Sequence, residues 1–147
     1  MAQDFVGTKR WVRQATPYEL YMEEQNLPIH RGTVGFYDIR DLTLAPWQRM
    51  GAQGAFIELN GCGGLQGMYV IEVPSAGVIS PEKHMYEEIF YVLEGRGTTE
   101  IWNDGDGNKK QTFEWQQGSL FSPPLNTWHR IVNATSSPAL LLGVTNA

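Results

Sequence analysis

From Gly54 onward the chain is a succession of short runs rich in β-branched and aromatic residues: GAFIEL, GMYVIEV, EEIFYVLEG, GTTEIW, KQTFEW, SLFS, WHRIVN and ALLLGV. Gly, Pro, Asn and Asp separate them, so each reads as a strand that turns after a few residues. Many short strands at close spacing satisfy their edges by folding into a sandwich or barrel. No long helical pattern falls between them, which argues against a βαβ fold. Sixteen Gly and eight Pro in 147 residues exceed the usual share of roughly 12% and supply the turns. A chain of this length with 41% hydrophobic residues has material for one core and little for two.

The first third reads differently. Residues 1–15 form a polar arm, with Phe5, Trp11 and Val12 as apolar anchors. Thr16 is a good N-cap, Pro17 suits the first helical position and Glu19 completes a capping box. The helix runs through Leu20, Tyr21 and Glu24 and stops before Pro28. Beyond it, Val34, Phe36 and Ile39 suit a short strand, Leu42 and Leu44 alternate with polar neighbours, and Pro46 and Gly51 interrupt. The expected division is 1–53 as arm, helix and edge strands, and 54–147 as the barrel.

Charge and cysteine usage exclude several classes. Net charge is −5, and only Lys9, Arg10 and Arg13 cluster among the bases, which argues against nucleic acid as partner. No apolar run approaches the roughly 20 residues of a membrane span, and the N-terminus lacks a signal-peptide core, so the expected chain is cytoplasmic. The single Cys62 rules out an internal disulfide or a multi-cysteine zinc site. Asp104-Gly-Asp106-Gly-Asn108 fails as a calcium loop, because Lys109 and Trp115 stand where Gly and Glu are needed; it reads as a hairpin turn. Asn133-Ala-Thr135 has the spacing of a glycosylation acceptor, and Gly61-Cys62-Gly63-Gly64 reads as a turn.

The chemistry concentrates in two segments. In PEKHMYEEIFYVLEG, extended alternation aims Glu82 and His84 to one side, and Glu88 follows after a bend. In GSLFSPPLNTWHRIVN, His129 opens a strand. If these segments face each other inside a barrel, two imidazoles and two carboxylates converge, which are donors for Zn²⁺, Fe²⁺, Mn²⁺ or Ni²⁺. Left unpaired, Glu82 and Glu88 would repel and one would be poised as a general base. Tyr86 is placed either to donate a proton in the pocket or simply to pack. His30 reads as an ordinary loop histidine.

These residues resemble the two motifs of the cupin superfamily. The first motif is matched by Glu82-x-His84, three residues, Glu88, six residues and Gly95; the second by Gly118, Pro124, Asn126, His129 and Asn133 at the family spacing. The resemblance implies an all-β double-stranded β-helix, a cupin or jelly-roll barrel, with an N-terminal arm and one short helix. It implies a divalent metal (Fe, Mn, Ni or Zn) on His84, Glu88 and His129, and a small-molecule substrate or ligand. Two positions depart from the pattern. Glu82 replaces the first histidine and stands as fourth ligand, as base, or outside the site. Asn126 replaces a turn Gly and is expected at positive φ, which Asn tolerates. The family spans dioxygenases, decarboxylases, isomerases, lyases and non-enzymatic binders, and the chain is also similar to the first half of longer two-cupin proteins. Finally, Ile89, Tyr91 and Leu93 alternate with Phe90 and Val92, so this strand is expected to be buried on both faces, with the outer face covered by a second sheet, the arm, or the partner in a homodimer.

Overall fold

The computed structural model describes residues 14–62, 66–106 and 108–147. The anchors Phe5, Trp11 and Val12, the basic cluster Lys9, Arg10 and Arg13, and Gly63 and Gly64 lie outside the described residues. Helix α1 spans Pro17–Glu24. The Thr16 amide donates to Glu19 Oε2 at 2.8 Å and the Glu19 amide donates to Thr16 Oγ1 at 3.1 Å, the reciprocal pair that the sequence signals.

Among the described residues eleven strands follow: β1 Ile29–Thr33, β2 Ala45–Trp47, β3 Ala52–Leu59, β4 Gly67–Val73, β5 Gly77–Val78, β6 Glu88–Glu94, β7 Arg96–Trp102, β8 Gln111–Gln116, β9 Leu120–Phe121, β10 Trp128–Asn133 and β11 Ala139–Thr145. The larger sheet has the order β1-β3-β4-β11-β6-β9, with β2 also on β3; the smaller is β5-β10-β7-β8. Two facing sheets of short strands with the cupin motifs on adjoining elements make the double-stranded β-helix, as the strand pattern and the motifs led us to expect.

Between the sheets lie Phe56, Ile71, Val73, Phe90, Val92, Trp115, Ile131 and Leu141, all buried. Trp47 meets Phe56 and Tyr69 edge-on, each at 5.3 Å between ring centroids. Helix α1 closes one end: Met22 is buried, and the Tyr18 and Tyr21 rings stand edge-on to Phe56.

Two expectations need correction. The early strand is Ile29–Thr33 and ends before Val34, while Ile39–Asp41 is a 3₁₀ turn capped by Asp38. His30 therefore sits in β1, parallel to β3, with Nε2 3.0 Å from the Thr43 carbonyl. Strand β6 also buries only one face fully. Glu88, Phe90 and Val92 point inward, whereas Ile89 and Tyr91 remain 45% and 42% exposed. Only part of the outer face is covered, and by the chain itself: Phe36, Ile39, Leu42 and Leu44 pack with Leu93 and Leu142 around Ile57, Val70 and Leu140.

Tight backbone explains three motif positions. Gly95 has φ +89°, and a Cβ there would lie 2.9 Å from Ala139. Asn126 has φ 59°, as its place in the motif requires. Asn133 is fully buried; its amide donates to the carbonyls of Val73, Pro74 and Ser137 and its oxygen accepts from Thr135. A buried side chain so engaged cannot serve as a glycosylation acceptor.

Candidate metal centre

Three elements bring the site together. Glu88 opens β6, His129 is the second residue of β10, and His84 lies on the loop before β6. That loop is tied to β10 by a two-way backbone bridge: the Glu82 amide donates to the His129 carbonyl at 3.0 Å and the His129 amide donates to the Glu82 carbonyl at 2.9 Å. The Asn126 amide donates to the His84 carbonyl at 2.9 Å, so the positive-φ turn holds the histidine loop in register.

Ligand atoms of His84, Glu88 and His129 lie within 4.8 Å of one another. Glu88 Oε1 is 3.3 Å from His84 Nε2 and 3.6 Å from His129 Nε2. All three side chains are nearly or fully buried, at 13%, 4% and 5% exposure in the order His84, Glu88, His129. Tyr69 donates its hydroxyl proton to Glu88 Oε2 at 2.7 Å. The ring of Tyr69 reaches that position over Gly143, where a Cβ would lie 2.3 Å from the ring.

The donor set fits a divalent ion on two observations. His84 Nδ1 donates to the Tyr86 carbonyl at 3.0 Å, so in the neutral ring Nε2 offers a lone pair to Glu88 Oε1. Two acceptors facing at 3.3 Å repel unless a proton on Nε2 or a metal cation lies between them. Both ring nitrogens of His129, moreover, are buried with no hydrogen-bond partner among the described residues, and a buried polar atom without a partner costs roughly 1–3 kcal/mol. An ion ligated by imidazole and carboxylate relieves the first and gives one of the two His129 nitrogens a partner.

Electrostatics follow from the same contacts. Burial pushes the Glu88 carboxyl upward, but the close His129 imidazole and the hydrogen bonds of His84 and Tyr69 outweigh it and hold the group down to about 2. Burial lowers His84, and the bond to Glu88 more than reverses this, so its pKa is raised. The repulsion between Glu82 and Glu88 expected from the sequence is thus relieved by a separate partner for each.

Glu82 is not in the three-residue group. Its carboxylate, 12% exposed, accepts from Arg49 Nη1 at 3.0 Å. It still lines two small cavities, one of about 20 Å³ shared with Glu88 and one of about 10 Å³ shared with His129. Tyr86 is stacked on His84, with ring centroids 3.8 Å apart and planes 4° from parallel. Outside the inner cavity a mouth of about 300 Å³ is lined by Pro17, Tyr18, Tyr21, Arg49, Tyr86 and Ala147. A larger groove of about 580 Å³, with Arg31, Glu58 and Cys62 in its wall, contains none of the three metal-group residues, and its Arg31 and Glu58 are paired at 3.1 Å. Arg49 escaped the sequence reading because it lies in the irregular segment before β3. Tyr69 was visible only as one of several aromatics suited to a core or a pocket wall.

Comparisons with known proteins agree with this architecture. The cupin domain family model matches residues 69–145, and the chain belongs to that family. No curated protein is similar enough in sequence to match. Among solved structures, oxalate decarboxylase from Lactobacillus farciminis, in a formate complex, is 20% identical over 74% of this chain with a TM-score of 0.59. The chain spans 32% of that decarboxylase's length. The CENP-C domain of Drosophila melanogaster is 15% identical, with 74% of this chain and 75% of that one covered and a TM-score of 0.58. The plu4264 protein of Photorhabdus luminescens is 19% identical over 73% of this chain and 88% of its own, with a TM-score of 0.56. At these identities the likeness is one of fold. No helix among the described residues is long and apolar enough to cross a membrane.

Proposed function

We propose that this cupin is a metal-dependent enzyme acting on a small organic molecule, with His84, Glu88 and His129 holding a divalent Fe, Mn, Ni or Zn ion. One observation carries the reading: His129 is buried with both nitrogens unpartnered among the described residues, beside a carboxylate oxygen that also faces His84 Nε2. Such a constellation is costly as a core and apt as a ligand set. The ion would supply Lewis-acid polarisation of a bound oxygen, or a place to hold O₂ beside substrate. The chain's own residues do the rest. Tyr69 orients Glu88, the Tyr86 carbonyl fixes the His84 tautomer, and Tyr18, Tyr21 and Tyr86 keep bulk water from the inner cavity. Glu82 stands at the cavity wall as base or as additional ligand. Fold likeness by itself does not select the activity, since a decarboxylase and a CENP-C domain match almost equally well; the proposal rests on the side chains of the site instead.

Metal analysis of protein purified without a polyhistidine tag tests this. Stoichiometric Fe, Mn, Ni or Zn, lost in His84→Ala and in His129→Ala, is the expected result. Unchanged occupancy in both folded variants overturns the ligand assignment, and a metal-free protein stabilised by a small ligand makes the chain a binding cupin instead. We further propose a homodimer through the exposed side chains of Ile89, Tyr91 and Leu120, which share one outer face because Tyr91 pairs with Leu120. A monodisperse monomer in light scattering at micromolar concentration overturns it.

A further inference from the structure

We infer that the substrate of this site is an organic acid whose carboxylate docks on Arg49 at the mouth, leaving the rest of the molecule facing the cavity above Glu88. This deepens the reading of the site as a small-molecule centre and rests on it for what lies beneath the docking point.

The first reason is the state of the guanidinium. Arg49 makes three polar contacts, to Tyr21 Oη at 3.2 Å, Met50 Sδ at 3.6 Å and Glu82 Oε2 at 3.0 Å, and all three use Nη1. Nη2 and Nε have no partner among the described residues, and the side chain is 53% exposed. That leaves free the pair of parallel N–H groups that grips a carboxylate in bidentate fashion. The arginine is also held in place, by Glu82 on one side and by the Tyr21 ring 5.6 Å from its carbon on the other, so little rotamer freedom remains to be lost on binding.

The second reason is the composition of the walls. The mouth is lined by Pro17, Tyr18, Tyr21 and Tyr86 around Arg49. Its volume of about 300 Å³ is at the lower end for ligand pockets. Apolar and aromatic walls around one cation suit a small planar acid. Tyr18 lines both this mouth and the inner cavity, so the two share an aromatic wall.

The third reason is charge. Arg49 is the one cationic side chain among the described residues lining the mouth, with Glu82 and Glu88 in the wall of the inner cavity beneath it. A carboxylate is therefore attracted to the guanidinium, whereas a cationic ligand is repelled there.

Benzoate, benzamide and benzylammonium share size and ring and differ in charge, so they are the probes. Calorimetric titration of each into the wild-type protein, with and without added Mn²⁺, should show benzoate binding at least about tenfold more tightly than benzamide, the worth of a charge-assisted bidentate contact, and benzylammonium weakest. Arg49→Gln should bring benzoate and benzamide together, and Arg49→Lys should restore only part of the preference. Equal binding of benzoate and benzamide, tighter binding of benzylammonium, or a preference that survives in folded Arg49→Gln each overturns the inference. If Arg49→Gln does not fold, the order of the three probes on the wild type decides. Normal metal loading without benzoate preference sinks the docking site and leaves the metal centre standing. An Arg49-dependent preference in a protein that takes no metal does the reverse.

Discussion

Tyr69 and Glu88 meet through a 2.7 Å hydrogen bond that occupies one carboxylate oxygen and turns the other toward His84 and His129. The tyrosine is therefore a positioning residue for the carboxylate. Tyr69→Phe removes one hydroxyl from a buried cluster and should lower metal affinity by about 10–100-fold, the usual effect of losing such an outer partner. Competition with a metal-sensitive chelating dye checks this, with circular dichroism to show that the fold persists. An affinity equal to wild type would mean that packing alone orients Glu88.

Glu82→Gln separates the two roles left to that residue. If Glu82 completes the ligand set on leaving Arg49, metal binding weakens. If it acts as a base, metal content is normal and turnover is lost. Normal metal and normal turnover together exclude both.

Acid should destabilise the metal-free protein through Glu88. Its folded-state pKa, about 2, lies below the ordinary value of 4.5. The unfolded chain thus binds the proton more readily, and Glu88 contributes stability that is fully present above about pH 4.5 and is lost as pH falls toward 2. In Glu88→Gln this part of the acid sensitivity disappears, so the melting temperatures of the two proteins converge below pH 4. Parallel melting curves across that range would show that the folded and unfolded carboxyls titrate alike.

At Asn126 the backbone has φ 59° and the amide is bonded to the His84 carbonyl. Asn126→Gly should be neutral or slightly stabilising. Asn126→Val should cost about 1 kcal/mol or more, because a β-branched side chain resists the left-handed region. It should also loosen the histidine loop and reduce metal affinity. Thermal melting and metal titration of both variants measure the two effects, and a valine variant with unchanged melting temperature counts against the strain.

What the sequence determined by itself is whatever depends on neighbours along the chain. Alternation of apolar residues and Gly, Asn and Asp turns set the eight strands from β3 onward, apart from the two-residue β5. Thr16 and Glu19 lie three residues apart, so their reciprocal cap was legible. The grouping of His84, Glu88 and His129 was implied by their resemblance to the two cupin motifs rather than by strand alternation, since His84 lies on the loop before β6. The tertiary structure alone decided the pairings across long loops. Arg49 reaches Glu82 across 33 residues, and Tyr69 reaches Glu88 across 19. Gly143 makes room for Tyr69 from a strand that enters last, and Phe36, Ile39, Leu42 and Leu44 fold back over the outer face of the larger sheet, which the short alternation at Leu42 and Leu44 did not announce. Local patterning specifies which face of a strand a side chain takes; which distant side chain it meets there depends on how the strands are ordered in the sheets, and no local interaction encodes that order.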